Sequence, residues 1–212
     1  MVELYNVTKD YSNGTHALHN ASLKIEKGEY VFIVGPSGAG KSTLLKLLLL
    51  EERPTSGEVY VNNMDLSKVP NRKIPHYRRT VGVVFQDFRL IESMTVYDNV
   101  AFPLRVMGTP SRIIRKRVPY VLNLVGLAAK AKQKPRQLSG GEQQRVSFAR
   151  AIVNNPPMII ADEPTGNIDP ELSYEIFELL ESINAQGITV IMVTHDLSMV
   201  EQFDQRVIRL QK

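Results

Sequence analysis

The segment from Gly35 to Ser42 constrains the fold more than any other stretch of this sequence. It places three glycines within eight residues, directly between an apolar run at 31–34 and a leucine-rich run that begins at Leu44. Glycine allows sharp bends at no steric cost, the apolar run indicates a buried strand, and the leucine-rich run indicates a helix. A buried strand that passes through a tight loop into a helix predicts an α/β fold.

The same segment matches the phosphate-binding pattern G-x-x-x-x-G-K-[ST]. Its backbone N–H groups and the start of the following helix suit an anion, Lys41 is expected to contact the β- and γ-phosphates, and Ser42 is expected to bind Mg²⁺. The alternative is a flexible turn that matches by chance, but the flanking strand and helix favour phosphate binding. The predicted nucleotide contacts are Gly35, Pro36, Ser37, Gly38, Ala39, Gly40, Lys41, Ser42 and Thr43.

The remaining pattern predicts an α/β core with a helical lobe inserted near residues 88–137. Short strands are predicted at 3–7, 22–25, 30–34, 57–62 and 80–85. A helical pattern extends from about 95 to 126. Strands at 158–161, 188–193 and 206–210 then alternate with helices at 171–184 and 196–203. Such alternation indicates a parallel sheet covered on both faces.

Composition limits the class of protein. The 212 residues fit one domain, and the net charge of +4 favours neither nucleic acid nor a membrane surface. The absence of cysteine excludes disulfides and cysteine-ligated metals. No signal peptide is expected, and the apolar stretch 44–50 contains Lys46 and is too short to span a bilayer. A partner would therefore have to supply any membrane spans.

Two carboxylates follow an apolar run at 158–161. Asp162 and Glu163 would lie at the carboxyl end of a parallel strand, where ligands of such sheets bind. Asp162 suits a magnesium ligand that acts through water, and Glu163 suits a general base that orients the attacking water. A solvated strand end is the structural alternative, and the phosphate-binding loop elsewhere in the chain favours the catalytic interpretation.

The stretch from Leu138 to Gln143 combines a helix start with two glycines. Ser139 and Glu142 form the S-x-x-E pattern of a capping box. A capping box does not explain Gly140 and Gly141, because glycine in a first helical turn costs up to about 1 kcal/mol relative to alanine. Two residues without side chains at a helix N-terminus admit an anion to the backbone, which predicts a second phosphate-binding terminus.

These motifs together resemble the ATP-binding cassette (ABC) family, whose signature is similar to the run Leu-Ser-Gly-Gly-Glu-Gln-Gln-Arg at 138–145. The resemblance implies a P-loop NTPase (RecA-like) core with an N-terminal antiparallel β-subdomain and an inserted α-helical subdomain. It implies one domain over 1–212, with a core lobe at about 1–87 and 138–212 and a helical lobe at 88–137. It also implies ATP hydrolysis by a head-to-tail dimer, in which the signature of one subunit closes on ATP held by the other.

The resemblance also implies roles for single residues outside the phosphate loop. Tyr11 resembles the aromatic residue that stacks on adenine, and Gln86 the glutamine that reaches Mg²⁺ and the attacking water. Asp169 resembles the D-loop aspartate, and His195 the histidine that contacts the γ-phosphate. The signature contacts to nucleotide would be Ser139, Gly140, Gly141 and Gln143. Each side chain has a structural alternative: packing for Tyr11, polar surface for Gln86, a helix cap for Asp169 and a strand end for His195.

The segment 78–90, with Phe-Gln-Asp-Phe-Arg-Leu at its end, is similar to the FtsE group of cell-division ABC ATPases. That resemblance implies an integral membrane partner of the FtsX type, at the cytoplasmic face of the membrane. It implies a signal that reaches a peptidoglycan hydrolase or its activator, without nucleic acid. The ATPases of lipoprotein-releasing and macrolide-export complexes share close variants of these stretches and stay open as an alternative.

Other classes fit the sequence less well. Repair-type ABC proteins carry long coiled-coil or zinc insertions, and translation-type members carry two cassettes, whereas this chain has one signature and no cysteine. A module that binds ATP without hydrolysis is disfavoured by the presence of Glu163 and His195. The basic cluster at 112–117 indicates a solvated helix face. Three apolar residues after Gln86 either pack inside the helical lobe or line a groove for a helix of the membrane partner, namely Phe88, Leu90 and Ile91.

Overall fold

The structure, a computed structural model, describes residues 1–166 and 170–211. The chain divides into two compact units, Met1–Arg78 with Asn184–Lys212, and Arg79–Ile183. The first unit contains β1 (Val2–Asp10), β2 (His16–Ile25), β3 (Tyr30–Val34), α1 (Lys41–Leu48), β4 (Ser56–Val61), β5 (Met64–Asp65), α2 (Ile74–Arg78), β8 (Thr189–Val193), α7 (Leu197–Val200) and β9 (Arg206–Arg209). The second contains β6 (Val81–Val84), α3 (Val96–Val106), α4 (Ser111–Leu124), α5 (Gly140–Ile152), β7 (Met158–Asp162) and most of α6 (Pro170–Asn184). The predicted lobe boundaries stay a prediction.

An antiparallel sheet in the first unit has the strand order β2-β1-β4-β5. One face of β1 buries Val2, Leu4 and Val7. The buried positions change spacing from two to three because the pairing with β2 is irregular between Leu4 and Val7, where Asn6 has a positive φ of 49°. The bulge keeps the apolar side chains on the core face along a strand of nine residues.

A second set of strands in the first unit is parallel. β3 lies between β8 and β9, and Ile33 pairs with Val193 on one side and Ile208 on the other. All five residues of β3 are buried, as a central parallel strand requires. The chain leaves β3 through the glycine loop and enters α1, whose leucines are buried whereas Lys46 is exposed. The leucines of the stretch 44–50 therefore pack in the core.

The second unit consists of the parallel pair β6 and β7 together with helices that pack on one another. The continuous helical pattern predicted from 95 to 126 forms two helices, α3 and α4. Gly108, with a φ of 73°, follows the end of α3, and Pro110 precedes the first residue of α4. A left-handed glycine and a proline end and start helices, respectively, which explains the division.

Most predicted strands and helices are present within a few residues of their expected bounds. β2 begins at His16 instead of Ser22, because Leu18 is the only buried residue among its first six and a single buried position gives no alternating pattern. The helix predicted at 196–203 was too long, since α7 covers a single turn, Leu197–Val200, capped by Asp196. Within the described part of the chain, no helix combines the length and apolar character needed to cross a membrane.

Candidate active site

The loop between β3 and α1 has the conformation that a phosphate-binding loop requires. Gly40, which precedes the first residue of α1, has a φ of 93°. A Cβ atom there would overlap the carbonyl oxygen of Ala17 and lie 2.7 Å from Leu18 Cδ2, so this position accepts only glycine. The first turn of α1 carries backbone N–H groups without helical partners. Its start therefore offers the donors and the partial positive charge that bind an anion.

Lys41 and Tyr11, two predicted nucleotide contacts, bond to this loop and to α1, respectively. The Lys41 ammonium donates to the carbonyl oxygens of Gly35 at 2.6 Å and Pro36 at 3.2 Å, which holds it over the start of the loop. The Tyr11 hydroxyl lies 3.3 Å from Thr43 Oγ1. Tyr11 therefore reaches α1 from the loop that follows β1, and the structure brings these predicted contacts together.

His195 lies at the same sheet edge as the phosphate loop. Ile33 of β3 pairs with Val193 of the parallel strand β8. Gly35 and His195 each come two residues after this pair, at the carboxyl ends of their strands. The His195 side chain is exposed there, which leaves it accessible to a ligand. The register of the first unit thus places a histidine beside the loop that the sequence predicts to bind phosphates.

The second unit repeats this arrangement with Gln86 and Glu163. Val84 of β6 pairs with Ala161 of β7, and Gln86 and Glu163 each follow this pair by two residues. Glu163 has a φ of 45°, and its carbonyl accepts from the Gly166 amide at 3.1 Å. A Cβ on Gly166 would lie 2.7 Å from Gln86 Nε2, so the Gln86 side chain packs on the turn that contains Glu163. Asp162, the last residue of β7, is half-buried.

The predicted capping box at the start of α5 is confirmed. Ser139 Oγ accepts from the Glu142 amide at 3.3 Å, and Glu142 Oε2 accepts from the Ser139 amide at 3.0 Å. Glu142 also forms an ion pair with Lys130. The pKa of the Glu142 carboxyl lies below its usual value, mainly because of the Lys130 ammonium and secondly because of the Ser139 amide. Gln143 donates from Nε2 to the Leu138 carbonyl at 3.3 Å, which adds a further bond at this helix start.

The two signature glycines differ in what surrounds them. Gly140 is exposed, and a Cβ there would find its nearest atom, Phe88 Cζ, at 3.9 Å. A Cβ on Gly141 would overlap the side chain of Leu172 in α6. The exposed Gly140 therefore leaves its backbone accessible to an anion. The buried Gly141 instead allows α5 and α6 to approach closely. The sequence alone does not separate these two tasks.

Three polar residues have structural roles that were not predicted from the sequence. Gln144, fully buried in α5, donates to the Pro164 carbonyl at 2.5 Å and so ties α5 to the Glu163 turn. Arg150 donates to the carbonyls of Phe88 and Arg89, and Asn99 bonds to the backbone of Ile91. Burial lowers the pKa of the Arg150 guanidinium, with Arg89 as a second cause. A polar residue on the buried face of α5, among Val146 and Phe148, was the available signal for Gln144.

Phe88, Leu90 and Ile91 are half-buried, a state between the two predicted alternatives.

In the basic cluster, Arg112, Arg115 and Lys116 are exposed, whereas Arg117 donates to the carbonyls of Val153 and Ile152. The cluster is thus a solvated face for most of its members. The predicted D-loop residue Asp169 lies outside the described residues.

Residues 18–166 match the family described as ABC transporter. The match covers more than half of the chain, and the chain belongs to this family. Its similarity to the cell division ATP-binding protein FtsE is high. The identity to the Bacillus subtilis (strain 168) protein is 53% over 211 residues, which covers 100% of this chain and 92% of the relative. The Escherichia coli (strain K12) protein is 47% identical over 210 residues, which covers 99% of this chain and 95% of the relative.

Solved structures agree with this assignment. The ATP-binding cassette MJ0796, described as a dimer in a post-hydrolysis state bound to ADP and Pi, is 42% identical with a TM-score of 0.89, covering 100% of this chain and 94% of the relative. CbiO1 from Clostridium perfringens, described as part of the ABC transporter complex cbiONQ, is 33% identical with a TM-score of 0.92, covering 99% of this chain and 84% of the relative. The predicted cassette fold, the predicted ATPase and the resemblance to FtsE are confirmed.

Proposed function

We propose that this chain is the ATP-hydrolysing subunit of an FtsEX-like complex. In this complex, ATP-driven closure of a dimer signals through an FtsX-type membrane partner and controls cell-wall hydrolysis during division. The observation that carries the proposal is the similarity to FtsE along the whole chain, at 53% identity with the Bacillus subtilis protein and 47% with the Escherichia coli protein. The membrane partner would hold the chain at the cytoplasmic face of the membrane, and a peptidoglycan hydrolase or its activator would receive the signal.

The residues of the chain divide the work of hydrolysis. The phosphate loop and Lys41 bind the phosphates of ATP, and Tyr11 stacks on adenine. Glu163 accepts a proton from the attacking water, and His195 contacts the γ-phosphate. Ser42, Gln86 and Asp162 supply the hydroxyl, amide and carboxylate oxygens that Mg²⁺ prefers, and a bound Mg²⁺ would neutralise phosphate charge. The exposure of Ser42 on α1 and the position of Asp162 at the end of β7 support these roles.

The signature completes the site of a second copy of the chain. The start of α5 offers backbone N–H groups, and the exposed Gly140 gives an anion access to them. Ser139, Gly140, Gly141 and Gln143, with Asp169, would contact the ATP bound to the other subunit. MJ0796, at 42% identity, is described as a dimer bound to ADP and Pi, which supports a shared site in this chain.

The loop after Gln86 is the proposed contact with the membrane partner. Phe88, Leu90 and Ile91 are half-buried, so each keeps part of its apolar surface accessible. Together with residues from 96 to 107 they would line a groove that receives a short helix of the partner through apolar anchors. Since Gln86 begins this loop, a change at the γ-phosphate would be transmitted to the groove.

Co-purification tests the complex. The chain is co-expressed with an FtsX-type membrane protein or with a lipoprotein-releasing one, and each complex is isolated in detergent. We expect retention of the FtsX-type protein and loss of this retention in Phe88→Asp. Aspartate tolerates the left-handed conformation of residue 88, φ 57°, so the exchange removes the ring without added backbone strain.

The matched control is Tyr120→Asp, which removes another exposed aromatic ring, 60% exposed, from the same unit. This control should keep the partner. Retention of the lipoprotein-releasing protein instead of the FtsX-type protein would contradict the proposed function. Equal retention by Phe88→Asp and the wild type would exclude Phe88 as an anchor.

A further inference from the structure

The loop that starts at Gln86 contains two consecutive non-glycine residues in the left-handed region, with φ values of 57° at Phe88 and 47° at Arg89. L-residues avoid this region, and a pair of them persists only where the surroundings hold the backbone. Arg150, in the last turn of α5, donates from Nη2 to the Phe88 carbonyl at 2.8 Å and from Nη1 to the Arg89 carbonyl at 2.6 Å. One guanidinium thus binds both carbonyls of the left-handed pair.

A second side chain holds the other end of the same loop. Asn99 is fully buried in α3 and accepts from the Ile91 amide at 2.8 Å. Its Nδ2 lies within 3.1 Å of the carbonyls of Ile91 and Thr95, to which it donates. The segment 86–95, which we call the Gln86 loop, is therefore bonded to α5 near its start and to α3 near its end.

The chemistry of Arg150 suits a geometric task. Both acceptors are neutral carbonyls, so these bonds fix position and are not ion pairs. A guanidinium presents its N–H groups in one rigid plane, whereas a lysine ammonium cannot fix two carbonyls at a set angle. The same helix that carries Arg150 begins with the signature at Gly140. A helix of 13 residues is about 20 Å long, so α5 links the signature rigidly to the Gln86 loop.

We propose that Arg150 is a positioning residue for hydrolysis, which holds the Gln86 loop on α5 and so couples the place of Gln86 to the signature. The proposal rests on the proposed role of Gln86 at the nucleotide. Arg150 itself acts through Gln86 and does not contact ATP. When the signature binds nucleotide, a movement of α5 would then be passed through Arg150 to Gln86, within one unit of the chain.

The test is a double-mutant cycle with the full chain: wild type, Arg150→Lys, Gln86→Ala and the double variant, each assayed for kcat and KM of ATP hydrolysis. Small misplacements of catalytic groups cost up to about 10²-fold in rate, so we expect Arg150→Lys to lower kcat at least about tenfold. KM for ATP should change less than about twofold, because the phosphate loop is untouched. On the Gln86→Ala background, Arg150→Lys should have no further effect on kcat.

Arg117→Lys is the matched control. Arg117 also donates to two backbone carbonyls, Val153 at 2.9 Å and Ile152 at 3.3 Å, but neither belongs to the Gln86 loop. It should lower thermal stability much as Arg150→Lys does and leave kcat near the wild-type value. If Arg150→Lys yields too little folded protein, Arg150→Gln replaces it in the cycle, since one shorter amide cannot donate to both carbonyls in the plane of a guanidinium.

The outcomes separate the two claims. A Gln86→Ala protein with unchanged kcat would overturn the role of Gln86 and with it the proposal. Gln86→Ala could lower kcat, and adding Arg150→Lys could then lower it again by the same factor as in the wild-type background. That result would overturn the positioning role alone. A fall in kcat for Arg117→Lys as large as that for Arg150→Lys would also overturn it, because the effect would then report loss of packing.

Discussion

At the scale of single residues, Lys41 and Glu163 are held in ways that suit different tasks. The Lys41 ammonium donates hydrogen bonds to two backbone carbonyls of the loop that precedes α1. Glu163 follows a buried strand in a left-handed conformation, φ 45°, in a turn closed by the Gly166 amide. Non-glycine residues in this region are enriched at functional sites. This geometry supports the proposed roles of Lys41 in ATP binding and of Glu163 at the attacking water.

Substitution of these two residues should separate binding from turnover. We expect Glu163→Gln to bind ATP normally and to lose about 10²–10⁴-fold in kcat, because the amide cannot accept the proton. Lys41→Ala should instead lose tight ATP binding. Calorimetry measures the binding, and phosphate release measures the turnover. Glu178→Gln, an exposed exchange in the same unit, is the control. Equal phosphate release by wild type and Glu163→Gln, after correction for contaminating ATPases, would refute the assignment.

Single residues also show where prediction from sequence ends. The positions of the phosphate loop and of the Asp162–Glu163 pair at strand ends were predictable because each is a short contiguous motif beside an apolar strand. Arg150 was not, since its acceptor at Phe88 is 62 residues away in sequence and a backbone carbonyl carries no residue signature. The division of tasks between Gly140 and Gly141 was hidden for a similar reason, because it depends on where Leu172 packs.

At the scale of elements, the start of α5 combines a capping box with an ion pair. Glu142 accepts from the Ser139 amide and pairs with Lys130, which belongs to the segment that precedes the signature. Both contacts favour the ionised carboxylate and lower its pKa. Their contribution is limited, since the side chains remain 25% and 37% exposed and solvent screens the pair. The signature helix should therefore respond to acid.

The pH dependence has a definite sign. A pKa lowered in the folded state means that ionised Glu142 stabilises the fold above its usual pKa of 4.5. This stabilisation is lost as the pH falls from 4.5 through the lowered value. Glu142→Gln keeps the capping acceptor and cannot ionise. We expect the wild type to exceed Glu142→Gln in free energy of unfolding at pH 7, and the difference to shrink as the pH falls below 4.5, in urea titrations with Glu178→Gln as control. A difference that is constant with pH would contradict this contribution.

The bounds of strands and helices agreed with the prediction from sequence where the apolar run was continuous. The buried strand β3 has the bounds that its five apolar residues predict. The start of β2 was missed because its partly exposed residues are specified by pairing with β1 and not by their own pattern. The helical run of 95–126 appeared continuous because periodicity persists across Gly108 and Pro110, although a left-handed glycine there ends α3.

At the scale of the whole molecule, the proposed function requires that ATP, and not ADP, joins two copies of the chain. The γ-phosphate would be the ligand that the signature of one subunit binds on the other. Hydrolysis would remove it and release the pair. We expect Glu163→Gln to form a dimer with ATP and Mg²⁺ and to be monomeric with ADP, as measured by light scattering. The same mass in both nucleotides would argue against a shared site.

The signature glycines provide the sharpest version of this experiment, because their surroundings differ. Gly140 has room for a side chain, so Gly140→Asp in the Glu163→Gln protein should fold with a near-normal melting temperature. Its carboxylate would repel the γ-phosphate and block the backbone N–H groups, and the ATP-dependent dimer should be lost. Gly140→Ala, which adds no charge, separates repulsion from bulk. Gly141→Ala should lower the melting temperature, since its methyl group meets Leu172. An ATP-dependent dimer that survives Gly140→Asp would mean that the subunits meet elsewhere.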